Sequence, residues 1–523
     1  MKTEPQLQKP LTALSQWQDY VNAINKAARV APTPRIVEAA GMHIDLTAQT
    51  YSPAVQQTAS ALLQARHFSE ARQALFDGKP VNTTENRAAW HTELRAPRPS
   101  EEVAEERKRA LEFVRRSDSE RRWRNIVHIG IGGSDWGVRL VVSAFGYAGM
   151  WRNIRFVANI DGHAVEGGLA GLDPRETLIV VASKSFRTAE TLENAKRAIE
   201  WMQAAGIAHP MNQVIAVTAN ADAAQAWGLQ QSQIFRFWDW VGGRFSIWSA
   251  VGVAAGLAVG PDVVAGLQSG AKAMDDHFLT APIEQNAPVQ LAMAGIANRS
   301  ILDYGSLNIS AYDSRLANLI PYIQQLEMES LGKSVDINGE PITVPTGPAV
   351  WGMPGTDAQH TFFQWLHQGS DGAPVDFIAC QHEDHAWKEH HIQLLAHCLA
   401  QREALMNGKT YEQAVQESVD AGMSLADARK LARHKVHPGG RPSNLIMMPS
   451  LTPFSLGALL AMYEHKVFVQ GLVWGLNPFD QWGVEYGKVL ATDITAELKG
   501  AAPLAPHDAS TRYWIERIRS QLE

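Results

Sequence analysis

Between residues 126 and 237 the chain repeats one pattern five times: a short apolar run, then a longer stretch of helical or loop character. The runs 126–131, 154–158, 178–182, 213–217 and 234–237 read as strands buried on both faces. After the third run, Leu192, Ala195, Ile199 and Met202 recur at helical spacing. Repeats of this kind predict a doubly wound parallel sheet, with ligands beyond the C-terminal ends of its strands. A second, less regular β-α set follows Gly260. Its strands are expected at 307–311, 341–344, 377–381 and 445–448, with helices over 314–331 and near 359–367. Thr452-Pro453 places a capping hydroxyl and a first-turn proline before a long helix reaching about Leu472. Residues up to about Arg95 look mainly helical, with amphipathic runs at 14–24 and 54–63. Residues 479–498 read as the last long helix before a tail containing Pro503 and Pro506.

Chemistry-bearing residues fall where strands end. Ser183, Lys184, Ser185 and Thr188 occupy the turn from the third strand into its helix. Thr188 suits an N-cap, and helix N–H groups with their dipole favour an anion there. The stretch reads either as an ordinary capped helix with a surface lysine or as a phosphate cradle. The loop Gly130-Ile-Gly-Gly-Ser134 lacks the sixth-position glycine of a dinucleotide fingerprint, since Asp135 stands there. A phosphate or structural turn fits it better. Val241-Gly-Gly-Arg-Phe-Ser246 sets Arg244 after a diglycine, where a fixed guanidinium can face a developing oxyanion. Gln325 and Glu329 share one helix face, as do Gln481 and Lys488 in the final helix. His360 opens a helix.

Other motifs close without chemistry. Leu331-Gly-Lys-Ser334 lacks the first P-loop glycine, because residue 327 is Glu327. The histidines of 381–391 do not form a metal-ligand spacing and read as a polar helix surface. Composition narrows the class further. The chain has 523 residues, a net charge of −7 and 45% hydrophobic residues, so no basic field invites nucleic acid or an anionic membrane. Two uncharged stretches, 245–261 and 444–463, contain glycines or prolines and read as buried core instead of membrane spans. Two cysteines are too few for a disulfide framework, and no apolar signal core opens the chain. A soluble cytoplasmic protein is expected.

Seven blocks together resemble the phosphoglucose isomerase family. They are IGIGGSDWG at 129–137, SKSFRTAET at 183–191, VGGRFSIWSAVG at 241–252, QQLEMESLGK at 324–333, WGMPGTDAQHTFFQWLHQG at 351–369, HKVHPGGRPSN at 434–444, and YEHKVFVQGLVWGLNPFDQWGVEYGK at 463–488. They stand in the family's order and span most of the chain. Several positions depart from common family forms: Ser185, Arg187 and Ala189 where Thr, Thr and Gln are usual, and also Leu326-Glu327 and Gly440. Ser185 keeps the hydroxyl, and Arg187 adds charge beside the cradle.

The resemblance implies an α/β fold of two sugar-isomerase-type α/β/α sandwich domains with mainly parallel sheets, plus N-terminal helices and a C-terminal helical tail. The implied division is 1–95, 96–260 (smaller domain), 261–490 (larger domain) and 491–523 (helical arm). It further implies a homodimer that interconverts glucose 6-phosphate and fructose 6-phosphate, in glycolysis and gluconeogenesis, without metal or organic cofactor. Carried over by position, the phosphate site falls on Ser183, Lys184, Ser185 and Thr188, with Gly133 and Ser134 nearby. The base falls on Glu329, the enediolate-stabilising arginine on Arg244, and the ring-opening pair on His360 and Lys488. Gln325 and Gln481 match substrate-contacting glutamines, and Glu190 matches the acid that pairs with the histidine. The family's histidine comes from the partner subunit. Two rival readings remain at this stage: a non-catalytic sugar-phosphate sensor, and an amino-sugar-phosphate isomerase.

Overall fold

The computed structural model describes residues 8–31, 33–147 and 149–522. Contacts divide the chain into a larger unit ending at Pro478 and a smaller one beginning at Phe479. Both sheets belong to the larger unit. The strands of the first sheet are β3 (Asn125–Ile129), β4 (Asn153–Val157), β5 (Thr177–Ala182), β6 (Val214–Thr218) and β7 (Ile234–Arg236). Their order is β4-β3-β5-β6-β7 and every pairing is parallel. All six residues of β5 are buried, which is why that run is apolar without alternation. The expected strands lie within one or two residues of the observed ones.

The second sheet has the order β1 (Ile36–Ala39), β2 (Met42–Asp45), β11 (Ser443–Met448), β10 (Val375–Cys380), β8 (Ser306–Ala311) and β9 (Ala349–Gly352). Strands β8, β9, β10 and β11 are mutually parallel. A hairpin, β1 and β2, adds antiparallel strands at its edge. It adds two strands to an N-terminal segment that is otherwise helical as expected, with helices Ser15–Lys26 and Pro53–Ala65 on the two amphipathic runs. The two-residue turn puts Ala40 and Gly41 at φ +47° and +77°. An alanine there hides the Asn-Gly signal that usually announces such a turn. The second strand expected in this set also moves, from 341–344 to β9. Pro341 and Pro345 bracket that segment, and a residue without an N–H cannot donate to a ladder.

Helix Pro453–Trp474 begins where expected, with the Thr452 hydroxyl accepting from the Ser455 N–H at 3.1 Å. It is buried along almost its whole length, including Tyr463, Glu464, His465 and Lys466. Helix Pro261–Thr280 lies against it so closely that a Cβ on Gly270 would stand 1.7 Å from the Phe454 carbonyl oxygen. The stretches 245–261 and 444–463 are core, and no helix among the described residues is long and apolar enough to cross a membrane.

In the smaller unit, residues 479–481 are not helical and helix Glu485–Leu498 follows a short turn at Trp482–Val484. The boundary expected after residue 490 therefore falls inside a helix. The proline-containing tail leads into a further helix, Ala509–Leu522, whose first N–H groups at Ser510 and Thr511 donate to the Asp508 carboxylate. Glu497, 2% exposed, accepts from the Ala505 N–H and the His507 imidazole and so links the two helices.

Gly270→Ala should destabilise the larger unit by about 3 kcal/mol, because the backbone at Phe454 cannot yield as a side chain would. A fall in melting temperature of the purified protein measures this, against no change for Gly162→Ala, where a Cβ meets nothing within 4 Å.

Candidate active site

Three loops leave the C-terminal ends of the first sheet. The loop after β3 turns through a short helical segment at Gly132–Ser134. Buried His128, on β3, fastens this loop through Nε2 and the Ser134 carbonyl oxygen at 2.7 Å. The loop after β5 holds Ser183 to Thr188 and is tied down by the Lys184 carbonyl, which accepts from the Ala219 N–H. The loop after β7 carries Arg244 in the turn Gly243–Phe245. Gly133 and Gly243 let the first and third loops touch. A Cβ on Gly133 would lie 2.1 Å from the Gly243 carbonyl carbon, and Ser246 Oγ donates to the Gly133 carbonyl at 3.1 Å.

Arg244 is 3% exposed, and its guanidinium is held from several sides. Nε donates to Ser330 Oγ at 2.6 Å and Nη2 to the Pro478 carbonyl at 2.6 Å. Nη1 stands 3.4 Å from Glu329 Oε1. Glu329 and Ser330 come from helix Leu319–Leu331. Gln325, one turn earlier, donates from Nε2 to Glu329 Oε2 at 2.8 Å, as their shared face predicts. The same Gln325 nitrogen lies 3.0 Å from where a Gly132 Cβ would be, so the glutamine sits over the glycine loop. Gly133, Arg244, Gln325 and Glu329 are thus brought together from three segments. Ser134, half-buried, follows in the same loop.

The Ser183–Thr188 loop departs from expectation in one respect. Thr188 occupies the N-cap position of helix Ala189–Ala204, but its hydroxyl makes no capping bond. It pairs with Ser183 Oγ at 3.0 Å. The backbone at Thr188 (φ −66°, ψ 112°) brings the two hydroxyls together, which leaves the helix start without a side-chain cap. Ser185 Oγ accepts from the Arg187 N–H at 3.3 Å. Lys184 Nζ donates to the Asp239 carbonyl at 2.6 Å. Burial lowers its pKa to about 8, with Arg87 and Arg244 adding repulsion and Glu85 and Asp239 opposing it. Arg87 and Glu85 had no sequence signal, since they lie in an irregular loop far from the sheet in sequence. Glu190 is half-buried in the first turn of helix Ala189–Ala204.

His360 ends a short helical turn, Asp357–His360, that follows β9 of the second sheet. Its side chain is exposed and makes no hydrogen bond or ion pair among the described residues. Neighbouring Gln359 donates to the Tyr312 hydroxyl at 2.9 Å. This chain does not join His360 to the Arg244–Glu329 cluster. Lys488 and Gln481 belong to the smaller unit, where Lys488 Nζ pairs with Glu485 at 2.9 Å. Residues 381–390 are exposed, and no group of His, Cys, Asp and Glu among the described residues could hold a metal ion.

A parallel α/β sheet whose loops carry hydroxyls and a buried arginine, with a carboxylate held against that arginine by a neighbouring helix, suits an enzyme built to handle a small anionic substrate. The phosphoglucose isomerase family profile matches residues 45–515, and the chain belongs to that family. It is 54% identical to a glucose-6-phosphate isomerase from Bordetella pertussis over 517 residues, covering 98% of this chain and 99% of that protein. It is 44% identical to one from Chlorobium phaeobacteroides, covering 89% and 87%. The solved glucose-6-phosphate isomerase from Chlamydia trachomatis superposes with a TM-score of 0.85 at 29% identity, covering 98% of this chain and all of that one.

The lysine gives a pH prediction. A protonated Lys184 attracts anions, and the dianion of a phosphate monoester forms above about pH 6. Inhibition by a non-reacting phosphate monoester should therefore be tightest between about pH 6 and 8 and weaken as Lys184 loses its proton. Inhibition constants measured from pH 6 to 10 should show that upper limb, and Lys184→Met should abolish it.

Proposed function

We propose that the chain catalyses reversible isomerisation of D-glucose 6-phosphate and D-fructose 6-phosphate, serving glycolysis and gluconeogenesis. The observation that carries this reading is the 3.4 Å approach of buried Arg244 to Glu329, with Gln325 on the other carboxylate oxygen. A sugar-phosphate sensor would need the hydroxyl loop alone and would have no use for a carboxylate fixed against a guanidinium. An amino-sugar-phosphate isomerase is not favoured, given the family match.

Aldose and ketose differ by a hydrogen moved between C1 and C2 and a carbonyl moved the other way, so atoms and electrons balance within the sugar. The step needs only proton transfers and a place for the charge that develops. Glu329 is assigned as the base that takes the C2 proton and returns it at C1. Arg244 is assigned as the complement of the enediolate oxygen; a preorganised donor of this kind contributes about 3–4 kcal/mol. Ser183, Lys184, Ser185 and Thr188, with Gly133 and Ser134, are assigned to the phosphate, and the uncapped start of helix Ala189–Ala204 supports that assignment. Gln325 and Gln481 would hold the sugar hydroxyls. Phosphate binding far from the reacting carbons then fixes the sugar against the base.

The hexose arrives as a closed ring, which must open by moving a proton from the C1 hydroxyl to the ring oxygen. His360 is assigned that task, with Lys488 assisting and Glu190 orienting the imidazole. The exposure of His360 on its own chain supports a homodimer in which each His360 serves the partner's site. The division near residue 260 into a smaller and a larger sugar-isomerase domain belongs to the same reading. A cytoplasmic location is supported by Cys380 and Cys398, which are buried, unpaired thiols that burial pushes up to about 12.

Glu329→Gln should lower kcat by several orders of magnitude while changing inhibition by inorganic phosphate less than threefold, roughly the pattern of losing a general base alone. Near-normal turnover would remove Glu329 from the base role. A second measurement concerns the partner. Mixing inactive His360→Ala and Glu329→Gln subunits should restore about a quarter of parental activity, because random exchange gives half heterodimers with one intact site each. If the histidine acted within its own chain, mixing would restore nothing.

A further inference from the structure

Four consecutive residues of helix Pro453–Trp474 send polar side chains to four different elements. Tyr463 donates to Asp376 Oδ2 of β10 at 2.8 Å. Glu464 Oε1 accepts from Trp248 Nε1 at 2.7 Å, four residues after Arg244. His465 Nε2 meets Asp275 Oδ1 of helix Pro261–Thr280 at 2.7 Å. Lys466 Nζ pairs with Glu327 Oε1 of helix Leu319–Leu331, the helix that carries Glu329.

The last pair stands out energetically. Glu327 is 0% exposed and Lys466 is 3% exposed. Burying both charges costs several kcal/mol per ion, which their attraction does little more than recover, so apolar residues would serve stability as well or better. Glu327 Oε2 has no hydrogen-bond partner among the described residues, which deepens that cost. Burial holds the Glu327 carboxyl above its usual range in spite of Lys466. What the pair supplies instead is direction. Glu327 and Glu329 are two residues apart and therefore about 200° apart around the helix. One faces the core and the other faces the cleft. The Lys466 stem is itself confined: a Cβ on Gly295 would fall 3.8 Å from its Cε and 2.5 Å from Gln470 Nε2.

We propose that the Glu327–Lys466 ion pair is a positioning device that fixes the rotation of helix Leu319–Leu331 and so sets where the Glu329 carboxylate stands relative to Arg244. The same buried helix reaches the Arg244 loop through Glu464 and Trp248, so base and guanidinium are registered against one rigid element. Misplacement of a reacting group by about 1 Å costs on the order of a hundredfold in rate, which is the scale a lost registration would show. Glu327 stands among the departures from common family sequence noted above, and this assigns it a role. The inference rests on Glu329 being the base.

The test is the double variant Glu327→Gln/Lys466→Met, which removes both charges together and should keep the fold. Its expected behaviour is a melting temperature near the parent's, inhibition by inorganic phosphate within twofold, and kcat lowered about tenfold or more. Solvent deuterium entry at C2 of glucose 6-phosphate formed from fructose 6-phosphate should slow in parallel. Glu327→Asp keeps the charge on a shorter arm and should fall between parent and double variant. A double variant with parental melting temperature and kcat within twofold of the parent overturns the proposal. Should the double variant fail to fold, Glu327→Asp carries the test, and parental kcat there overturns it. The underlying assignment fails separately: turnover retained in Glu329→Gln removes the base, and with it this role for the pair.

Discussion

The burial of Arg95 is the constraint on which the arrangement of the larger unit depends. The residue is 2% exposed, and its guanidinium lies between two carboxylates, Asp275 at 2.6 and 2.7 Å and Glu464 beside it. Each carboxylate has a second donor, the His465 imidazole for Asp275 and the Trp248 indole for Glu464. Burial holds His91 and His465 below the usual histidine range, so neither brings a competing charge at neutral pH. Removing one member of such a set leaves an uncompensated buried ion, at a cost of about 3–5 kcal/mol. The set joins the turn His91–Arg95, helix Pro261–Thr280, helix Pro453–Trp474 and the segment after Arg244. His91 also stacks on Phe245 at 4.5 Å, directly beside Arg244. Site residues drawn from segments hundreds of positions apart need a common reference of this kind, because each loop alone would be free to drift.

What could be read in the sequence follows from whether the deciding interaction is local. The first sheet was legible because its central strands β3, β5 and β6 are buried along their whole length and carry largely apolar runs. Arg244 was legible because the diglycine before it is a local sign of close backbone approach, and the structure places Gly243 against Gly133. The hairpin β1–β2 was missed although Val37, Ala39, Met42 and Ile44 alternate with exposed positions, because nothing in Ala40-Gly41 names the turn. The role of Thr188 was half legible. Its position at the helix start follows from sequence, whereas its partner, Ser183, is chosen by the loop's path. Glu329 is an ordinary glutamate on an ordinary helix until Arg244, more than eighty residues earlier, is brought to it. Family resemblance supplied that residue where local physics could not. Glu327 and Lys466 are the converse case, two charges that composition would place on a surface and that only packing makes a pair.

Sharing one guanidinium between the base and the developing oxyanion has a consequence for the charge balance of the proposed reaction. Before proton transfer the negative charge sits on Glu329, 3.4 Å from Arg244 Nη1. As the carboxylate takes the C2 proton it becomes neutral, and the charge passes to the sugar oxygen. Arg244 then loses one anionic partner as it gains another, without moving, because Ser330 Oγ and the Pro478 carbonyl fix its remaining nitrogens. The Coulomb energy of the pocket changes little over the step, whereas in water the solvent would have to reorganise around a new anion. The partial exposure of Glu329, about a fifth of its side chain, fits the same economy. A fully solvated carboxylate would be screened from Arg244 by water. A side chain only a fifth exposed stays coupled to the guanidinium and keeps one face open to a substrate.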